Sequence, residues 1–413
     1  MDNKKKKLLS NTIMLYILTF STYFFGFILI PYQTRVLGPE YYGKIAFAIA
    51  FSTYFQLVFD YGFILSATEN VSKNRNNKDE LGKILSAVNI LKLFLIIVSF
   101  FIFLIICKYV DRLNSDFTLY LLYFVYVSIN AFLPDFLYRG IEEMKIITYR
   151  SVIVKLLFTM LIFIFLKNKS QYYIIPVLNI IGAIIALLIV YIHVYKNLKI
   201  KMKKVSIKYI YRQFKESTMF FLSRIASTLY GATNTFILGF IYPTGATLGL
   251  YSSADKLITT AKSAFSPISD SIYPYMVKNK DYKLIKKILK YIMPLIIIGC
   301  TIVFIFSKEL CTWFLGKEYQ DAYIILRLLM PIVVITLPNY LLGFPTLAPL
   351  GISKYANISV MIGSLFHISC IGIMLLINKL NVYNICIITV ITESLILLFR
   401  LTCIIKVRKG DKK

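Results

Sequence analysis

Three basic residues lie inside long apolar segments of the chain, where a charge needs a partner or water. Lys92, Lys155 and Arg224 each lie roughly eight residues from the start of such a segment. At about 1.5 Å per helical residue, this places all three at a similar depth. A charge at mid-membrane depth costs at least about 2.5–3.5 kcal/mol. We therefore predict a ring of cations that binds an anion. The alternative is that the side chains reach the membrane interface as anchors.

Two adjacent charges, Asp255 and Lys256, interrupt another apolar segment. They lie in the stretch GLYSSADKLITTAKSAF at 249–265. Neighbouring residues of a helix point about 100° apart, so these two cannot be each other's ideal partner. Polar residues follow one helical stripe, consisting of Asp255, Thr259, Lys262 and Ser266. We predict that this helix lines a central cavity, with Asp255 paired to a cation on another helix and Lys256 free to meet a ligand. The alternative is a pair of buried bonds between helices.

Candidates for carrying a proton lie near the middle of two later segments. Glu393 and His367 occupy these positions, and an ionisable group inside a membrane is by default a functional candidate. Helix pairing is the alternative for Glu393, and a core histidine bonded to a backbone carbonyl is the alternative for His367. Asp60, Asp135 and Asp270 lie towards segment ends, where capping or loop pairing explains them at least as well as a role in binding or proton transfer.

No pattern in the sequence predicts a metal or cofactor. The six cysteines lie mostly inside apolar segments without CxxC spacing, and the two histidines are far apart. These patterns do not form an ordinary zinc site. Because the chain also has no phosphate-binding glycine loop, we expect neither a cofactor nor ATP hydrolysis.

The elements that position these residues are predicted by composition. Of the 413 residues, 58% are hydrophobic and only 16% are charged, a balance typical of membrane proteins. Apolar runs of about 18–25 residues suit helices that cross the hydrocarbon core. Twelve such spans are predicted, at 11–31, 42–66, 84–107, 117–138, 148–166, 172–195, 217–241, 250–276, 289–306, 322–343, 356–377 and 382–404.

The net charge of +27 follows the predicted topology. Alternate loops and termini contain 31 lysines and arginines on one side of the membrane and nine on the other. Under the positive-inside rule, both termini are predicted to be cytoplasmic. The charge is therefore a topology signal with some attraction to anionic lipids, and nucleic acid is not an expected partner.

The chain divides into two similar halves. The longest predicted cytoplasmic loop, 196–217, separates the spans six and six. An offset of 206 residues superposes Gly43 on Gly249, each of which opens an even-numbered span after a Gly/Pro turn. This arrangement predicts parallel repeats, with one six-helix bundle at 1–205 and a second at 206–413.

Four stretches resemble the Wzx-type flippases of polysaccharide biosynthesis, which belong to the multidrug/oligosaccharidyl-lipid/polysaccharide exporter superfamily. They are TRVLGPEYYGKIAFAIAF (34–51), FDYGF (59–63), LPDFLYRGIEEMK (133–145) and LGLYSSADKL (248–257). The resemblance implies an all-α polytopic protein with about twelve transmembrane helices in two bundles around a V-shaped central cavity. It also implies alternating access, ion coupling and a place in the bacterial inner membrane.

The resemblance further implies that the substrate is an undecaprenyl-diphosphate-linked oligosaccharide, moved from the cytoplasmic to the outer leaflet. The diphosphate would meet the cation ring, the sugar-diphosphate would meet Lys256, and Arg327 would meet the sugar or diphosphate on release or simply reach the interface. Membrane lipids are expected partners, and a polysaccharide polymerase complex is a candidate partner.

Two other functions remain open on the sequence. A polymerase or ligase of the same pathway would present catalytic carboxylates or arginines on sizeable outer loops, but the outer loops of this chain are short. A multidrug-type exporter would share the fold. The loop motifs near spans two and eight favour the polysaccharide branch, and we expect a transporter rather than an enzyme.

Overall fold

The computed structural model describes residues 3–410, without the side chains of residues 3–9, 223, 226–230 and 408–410. The residues described are helical or lie in turns and short connections, and no strand occurs among them. The first helices in chain order are α1 (Asn3–Asp60), α2 (Phe63–Lys73), α3 (Lys78–Tyr109), α4 (Asp111–Ser115), α5 (Phe117–Ala131), α6 (Asp135–Ile141), α7 (Met144–Phe165) and α8 (Ile174–Ile192).

The later helices continue the same pattern of long elements joined by short ones. They are α9 (Ile207–Ile241), α10 (Ala246–Ser263), α11 (Ser266–Asn279), α12 (Tyr282–Ile305), α13 (Ser307–Leu310), α14 (Ala322–Leu341), α15 (Phe344–Leu347), α16 (Lys354–Leu376) and α17 (Val382–Gly410). Short 3₁₀ turns occur at Lys169–Gln171 and Lys317–Tyr319, and π-helical turns occur at His193–Asn197 and Cys311–Leu315.

Nine helical segments within residues 3–410 are long and apolar enough to cross a membrane. The first, Ser10–Lys73, contains two predicted spans, and α1 breaks between them at Gly38, whose φ of 68° suits glycine. The predicted spans 217–241 and 250–276 are helical but are not among the nine. The total of twelve therefore stays a prediction.

The predicted span 250–276 is two helices rather than one. Helix α10 ends before Ala264 and Phe265, and α11 begins at Ser266 with Pro267 in its first turn. Proline is favoured there because its missing N–H is one that the helix start leaves unpaired anyway. The polar stripe predicted along one helix is therefore shared by two, with Ser266 on the second.

The chain forms two compact units that differ from the predicted halves. Unit 1 comprises Met1–Leu29 and Phe47–Thr228, and unit 2 comprises Ile30–Ala46 and Leu229–Lys413. The boundary predicted at residue 205 stays a prediction.

An aromatic ladder fills the core of unit 1. Phe47, Phe51, Phe55 and Phe59 recur every four residues on one face of α1, and all four are buried. The ring of Phe55 meets Phe124 edge to face, with centroids 5.2 Å apart. Because residues four apart share a helix face, this spacing presents a continuous aromatic surface to α3 and α5.

In unit 2, glycines allow the backbone of residues 30–46 to touch the start of α10. A Cβ atom on Gly43 would collide with the Gly245 carbonyl oxygen, and one on Gly249 would collide with the Pro39 carbonyl oxygen. Small residues four apart permit such close helix contact in membranes. This contact explains why residues 30–46 belong to unit 2.

We expect Gly249→Val to prevent stable folding, because the added side chain meets backbone atoms that cannot rotate away. The measurement is the amount of monodisperse protein extracted from membranes. Gly299→Val is the matched control, since no atom lies within 4 Å of the position of its Cβ. Equal yields of the two variants would contradict the close packing.

Candidate functional site

A cluster of charges in unit 1 contains two of the three cations predicted to form a ring. Lys92 is 4% exposed, donates from Nζ to the Ala131 carbonyl oxygen, and lies 5.6 Å from the centre of the Phe136 ring. Arg224 Nη1 lies 3.7 Å from Asp60 Oδ2. Lys92, Arg224 and Asp135 all act electrostatically on Asp60. Arg224 thus lies close to the Asp60 carboxylate, and Lys92 acts on this carboxylate from a longer distance.

Lys155, the third predicted cation, lies on a cavity inside unit 1. The cavity has a volume of about 280 Å³ and is lined by residues of α1, α5, α7 and α8. Lys155 donates to Thr22 Oγ1, and both residues line the cavity. Asn130 and Asn179 add amide groups that can bind hydroxyl or phosphate oxygens. This cavity combines the Lys155 ammonium and a second basic side chain, Arg150, with several neutral polar groups, and the three-cation ring stays a prediction.

Arg150, at the start of the predicted span 148–166, is a functional candidate that the sequence alone did not identify. Its guanidinium is 5% exposed and lines the same cavity. Nη1 and Nη2 donate to the two carboxylate oxygens of Asp135 at 2.7 and 3.3 Å. This two-bond geometry is typical of strong arginine–carboxylate pairs, and the described residues thus give Asp135 a specific partner.

In unit 2, Glu393 joins helices α10, α14 and α17. Its Oε1 accepts a hydrogen bond from Lys262 Nζ at 2.8 Å, and its Oε2 accepts one from Asn339 Nδ2 at 3.1 Å. Lys262 and Glu393 are 131 residues apart in the chain. The structure therefore gives the predicted Glu393 candidate a cationic partner on α10, and a role in ion coupling stays a prediction.

The partner expected for Asp255 on another helix is not found among the residues that the structure describes. Lys262 and Lys256, both on α10, are the cations that act on its carboxylate, and no cation of a different described helix lies within 4.0 Å. Lys256 is exposed. The stripe contributes Lys262 rather than Asp255 to an ion pair between helices.

His367 is fully buried, with a side-chain partner at each ring nitrogen. Its Nε2 lies 2.8 Å from Asn234 Oδ1, and its Nδ1 lies 3.1 Å from Thr392 Oγ1. Asn234 Nδ2 donates to Thr389 Oγ1 at 3.0 Å, which orients the amide oxygen towards the histidine. This orientation allows the ring Nε2 to donate to the Asn234 amide oxygen.

Arg327 binds the end of a helix. Its Nε donates to the Phe304 carbonyl oxygen at 3.0 Å and to Ser307 Oγ at 2.7 Å, and Nη2 donates to the Ile305 carbonyl oxygen at 3.3 Å. Basic side chains commonly satisfy the last carbonyl groups of a helix. In the described structure Arg327 stabilises the end of α12, and contact with a substrate stays a prediction.

Comparison with known proteins decides the family. A model of the family described as "Polysaccharide biosynthesis protein" matches residues 8–280. The chain belongs to this family. Two relatives, from Shigella dysenteriae and Escherichia coli (strain K12), are both named "Putative O-antigen transporter". The first is 27% identical over 400 residues, covering 95% of this chain and 99% of the relative. The second is 28% identical over 351 residues, covering 82% and 83%.

Solved structures show the fold of this family member. "Lipid II flippase MurJ, inward closed conformation" superposes with a TM-score of 0.72 at 15% identity, covering 96% of this chain and 87% of that one. An inward-facing multidrug resistance MATE family transporter of the MOP superfamily gives a TM-score of 0.62 at 13% identity, covering 91% and 92%. The predicted all-α polytopic membrane fold is confirmed, and the chain is a multi-pass membrane protein.

Proposed function

We propose that this protein is a flippase that moves an undecaprenyl-diphosphate-linked oligosaccharide from the cytoplasmic to the outer leaflet of the bacterial inner membrane. The observation that carries the proposal is the cavity of unit 1, where the Lys155 ammonium and the Arg150 guanidinium, which is paired with Asp135, lie among neutral amides and hydroxyls. Such a cavity suits a ligand that is both anionic and rich in hydroxyl groups. The names of the relatives support an oligosaccharide-lipid as that ligand.

The predicted site residues are proposed to have two roles, substrate binding and ion coupling. Lys92, Lys155 and Arg224 are proposed to receive the diphosphate, with Lys256 and Arg327 on the route of the sugar. Movement is proposed to proceed by alternating access and to be coupled to an ion, for which Glu393, His367, Asp60 and Asp255 are the candidates. Both termini are proposed to be cytoplasmic, and the cycle requires no catalytic residue.

The test is reconstitution of the purified chain in vesicles with a fluorescent lipid-linked oligosaccharide whose sugar is accessible to a lectin from one side only. The wild-type chain should move the label across the bilayer. Lys155→Ala should slow this movement about tenfold when every vesicle contains the protein. A hydrogen bond between charged groups contributes about 1.5–3 kcal/mol, and about 1.4 kcal/mol corresponds to a factor of ten. Lys155→Arg should retain most of the rate.

The matched control is Lys169→Ala, which removes an exposed lysine from the turn before α8. Its rate should equal that of the wild type. A wild-type chain that moves no lipid-linked sugar but exports a cationic dye would replace the proposal with a multidrug exporter. A wild-type rate in Lys155→Ala would show that this lysine is an anchor.

A further inference from the structure

A second cavity, in unit 2, has an arginine in its wall that sequence reasoning did not identify. The cavity has a volume of about 420 Å³ and lies among residues of α11, α14, α15 and α17, within the range of about 300–1,000 Å³ usual for ligand sites. Arg400 of α17 lines it and is 8% exposed. The signal in the sequence was an arginine inside the predicted span 382–404.

The Arg400 guanidinium is held by neutral acceptors. Nε donates to Ser359 Oγ at 2.9 Å, Nη2 donates to the Ala356 carbonyl oxygen at 3.3 Å, and Nη1 donates to the Asn339 carbonyl oxygen. Within the described part of the chain, no carboxylate lies within 4.0 Å of this group. These bonds use three of its five N–H groups. The positive charge is therefore held by neutral acceptors, and Glu393 acts on it only from beyond contact distance.

The wall next to the guanidinium is open because residue 343 is glycine. A Cβ atom on Gly343 would lie 3.1 Å from Arg400 Nη1, and Gly343 lines the cavity. Without that atom, a ligand can approach Nη1 from the cavity. A planar guanidinium with free N–H groups matches the oxygens of a phosphate.

The other walls suit a sugar. Tyr273 and Phe344 meet edge to face with ring centroids 6.2 Å apart, and aromatic rings provide flat apolar surfaces. Ser266 Oγ donates to Asp270 Oδ2 at 3.0 Å. Asp270 is exposed, so water screens its repulsion of a phosphate, while its oxygens can accept bonds from hydroxyl groups. A carboxylate in the wall favours an anion that carries hydroxyls over a bare phosphate.

We propose that this cavity binds a sugar-linked phosphate, with the phosphate on Arg400, hydroxyls on Asp270 and the ring against Tyr273 and Phe344. Two sources share this chemistry, a soluble sugar 1-phosphate and the sugar-phosphate portion of a lipid-linked oligosaccharide. Binding of either ligand at this cavity does not depend on whether the protein transports lipid. A role as the first docking site of the transported lipid, at the predicted cytoplasmic end of unit 2, rests on the proposed function.

The experiment measures binding of N-acetylglucosamine 1-phosphate to the full chain in detergent, by calorimetry and by the rise in Tm. Inorganic phosphate and N-acetylglucosamine are compared at equal concentrations. We expect saturable binding of the sugar phosphate, weaker binding of phosphate and no binding of the neutral sugar. Arg400→Gln should weaken binding of the sugar phosphate at least tenfold.

Lys354→Gln is the matched control, because it removes one positive charge from the first residue of α16, the helix that contacts Arg400. Its affinity should equal that of the wild type. If Arg400→Gln does not fold, Asp270→Asn and Tyr273→Ala are measured instead. Both variants leave the hydrogen bonds of Arg400 intact, because neither residue bonds to it. Both should weaken binding of the sugar phosphate and leave that of inorganic phosphate unchanged.

Several results would overturn the inference. The first is that the folded wild type shows no saturable binding of the sugar phosphate. The second is that folded Arg400→Gln binds it with wild-type affinity. The third is that phosphate and sugar phosphate bind equally well and that Asp270→Asn changes neither affinity. Competition by a purified lipid-linked sugar, but not by phosphatidylglycerol vesicles, would assign the lipid source. A chain that binds through Arg400 but moves no lipid would refute the proposed function alone. A chain that moves lipid without this binding would refute the inference alone.

Discussion

Asp135→Asn should lower the free energy of unfolding of the protein by about 3–5 kcal/mol, as is typical when one member of a buried ion pair is removed. The substitution leaves the guanidinium of Arg150 buried at 5% exposure without the carboxylate that accepts both of its Nη groups. The measurement is unfolding of the detergent-solubilised chain in a denaturant titration, with loss of helix as the signal.

Glu69→Gln is the control for this prediction. Glu69 and Lys73 also form an ion pair, at 2.6 Å, but their side chains are 54% and 65% exposed. Water screens such a pair, which contributes about 0–1 kcal/mol. The double variant Asp135→Leu/Arg150→Met should recover most of the lost stability, because it removes both charges. Equal effects of Asp135→Asn and Glu69→Gln would show that the Arg150 pair is not structurally important.

Glu393→Gln should reduce transport of lipid-linked oligosaccharide to the background of protein-free vesicles, while the amount of protein in the membrane stays close to that of the wild type. The amide has the same size, and its oxygen can still accept a hydrogen bond from Lys262 or Asn339, which holds α10, α14 and α17 together. The charge is lost, and with it the capacity to exchange a proton that the proposed ion coupling requires.

A charge swap separates coupling from helix pairing. In the wild type, Lys262 and Glu393 are 2.8 Å apart, and their side chains are 22% and 12% exposed. The double variant Lys262→Glu/Glu393→Lys exchanges the two charges, and we expect an ion pair of opposite polarity to form at the same place. If the pair only joins helices, the swapped protein should transport like the wild type. If Glu393 exchanges the coupling ion, the swapped protein should be abundant and inactive. Full transport by Glu393→Gln would exclude a role in ion coupling and leave helix pairing as the role of this residue.

The two ion pairs connect elements at different separations along the chain. Asp135 and Arg150 are 15 residues apart and connect adjacent elements of unit 1. Lys262 and Glu393 connect helices that are distant in the sequence. Separate measurements of stability and transport in the two sets of variants therefore distinguish a structural pair from one that takes part in the transport cycle.

Local sequence was sufficient for the class of fold, and it also contains the residues that begin some helices. Apolar runs of membrane length predicted helices, because a backbone in lipid must satisfy its own hydrogen bonds. Asn77 before α3 and Asp281 before α12 begin their helices by accepting bonds from backbone N–H groups. The rarity of charge in such runs also identified Lys92, Glu393 and His367 as residues that need explanation.

Partners were decided only by the tertiary structure. Helical periodicity shows which residues share a face, but it does not show which distant helix that face meets. The sequence therefore left open that Glu393 meets Lys262, that His367 meets Asn234, and that Gly43 approaches the Gly245 carbonyl. Apolar residues fit many lipid-facing and helix-facing environments, whereas a buried polar group needs one specific partner. Packing between distant segments supplies that partner.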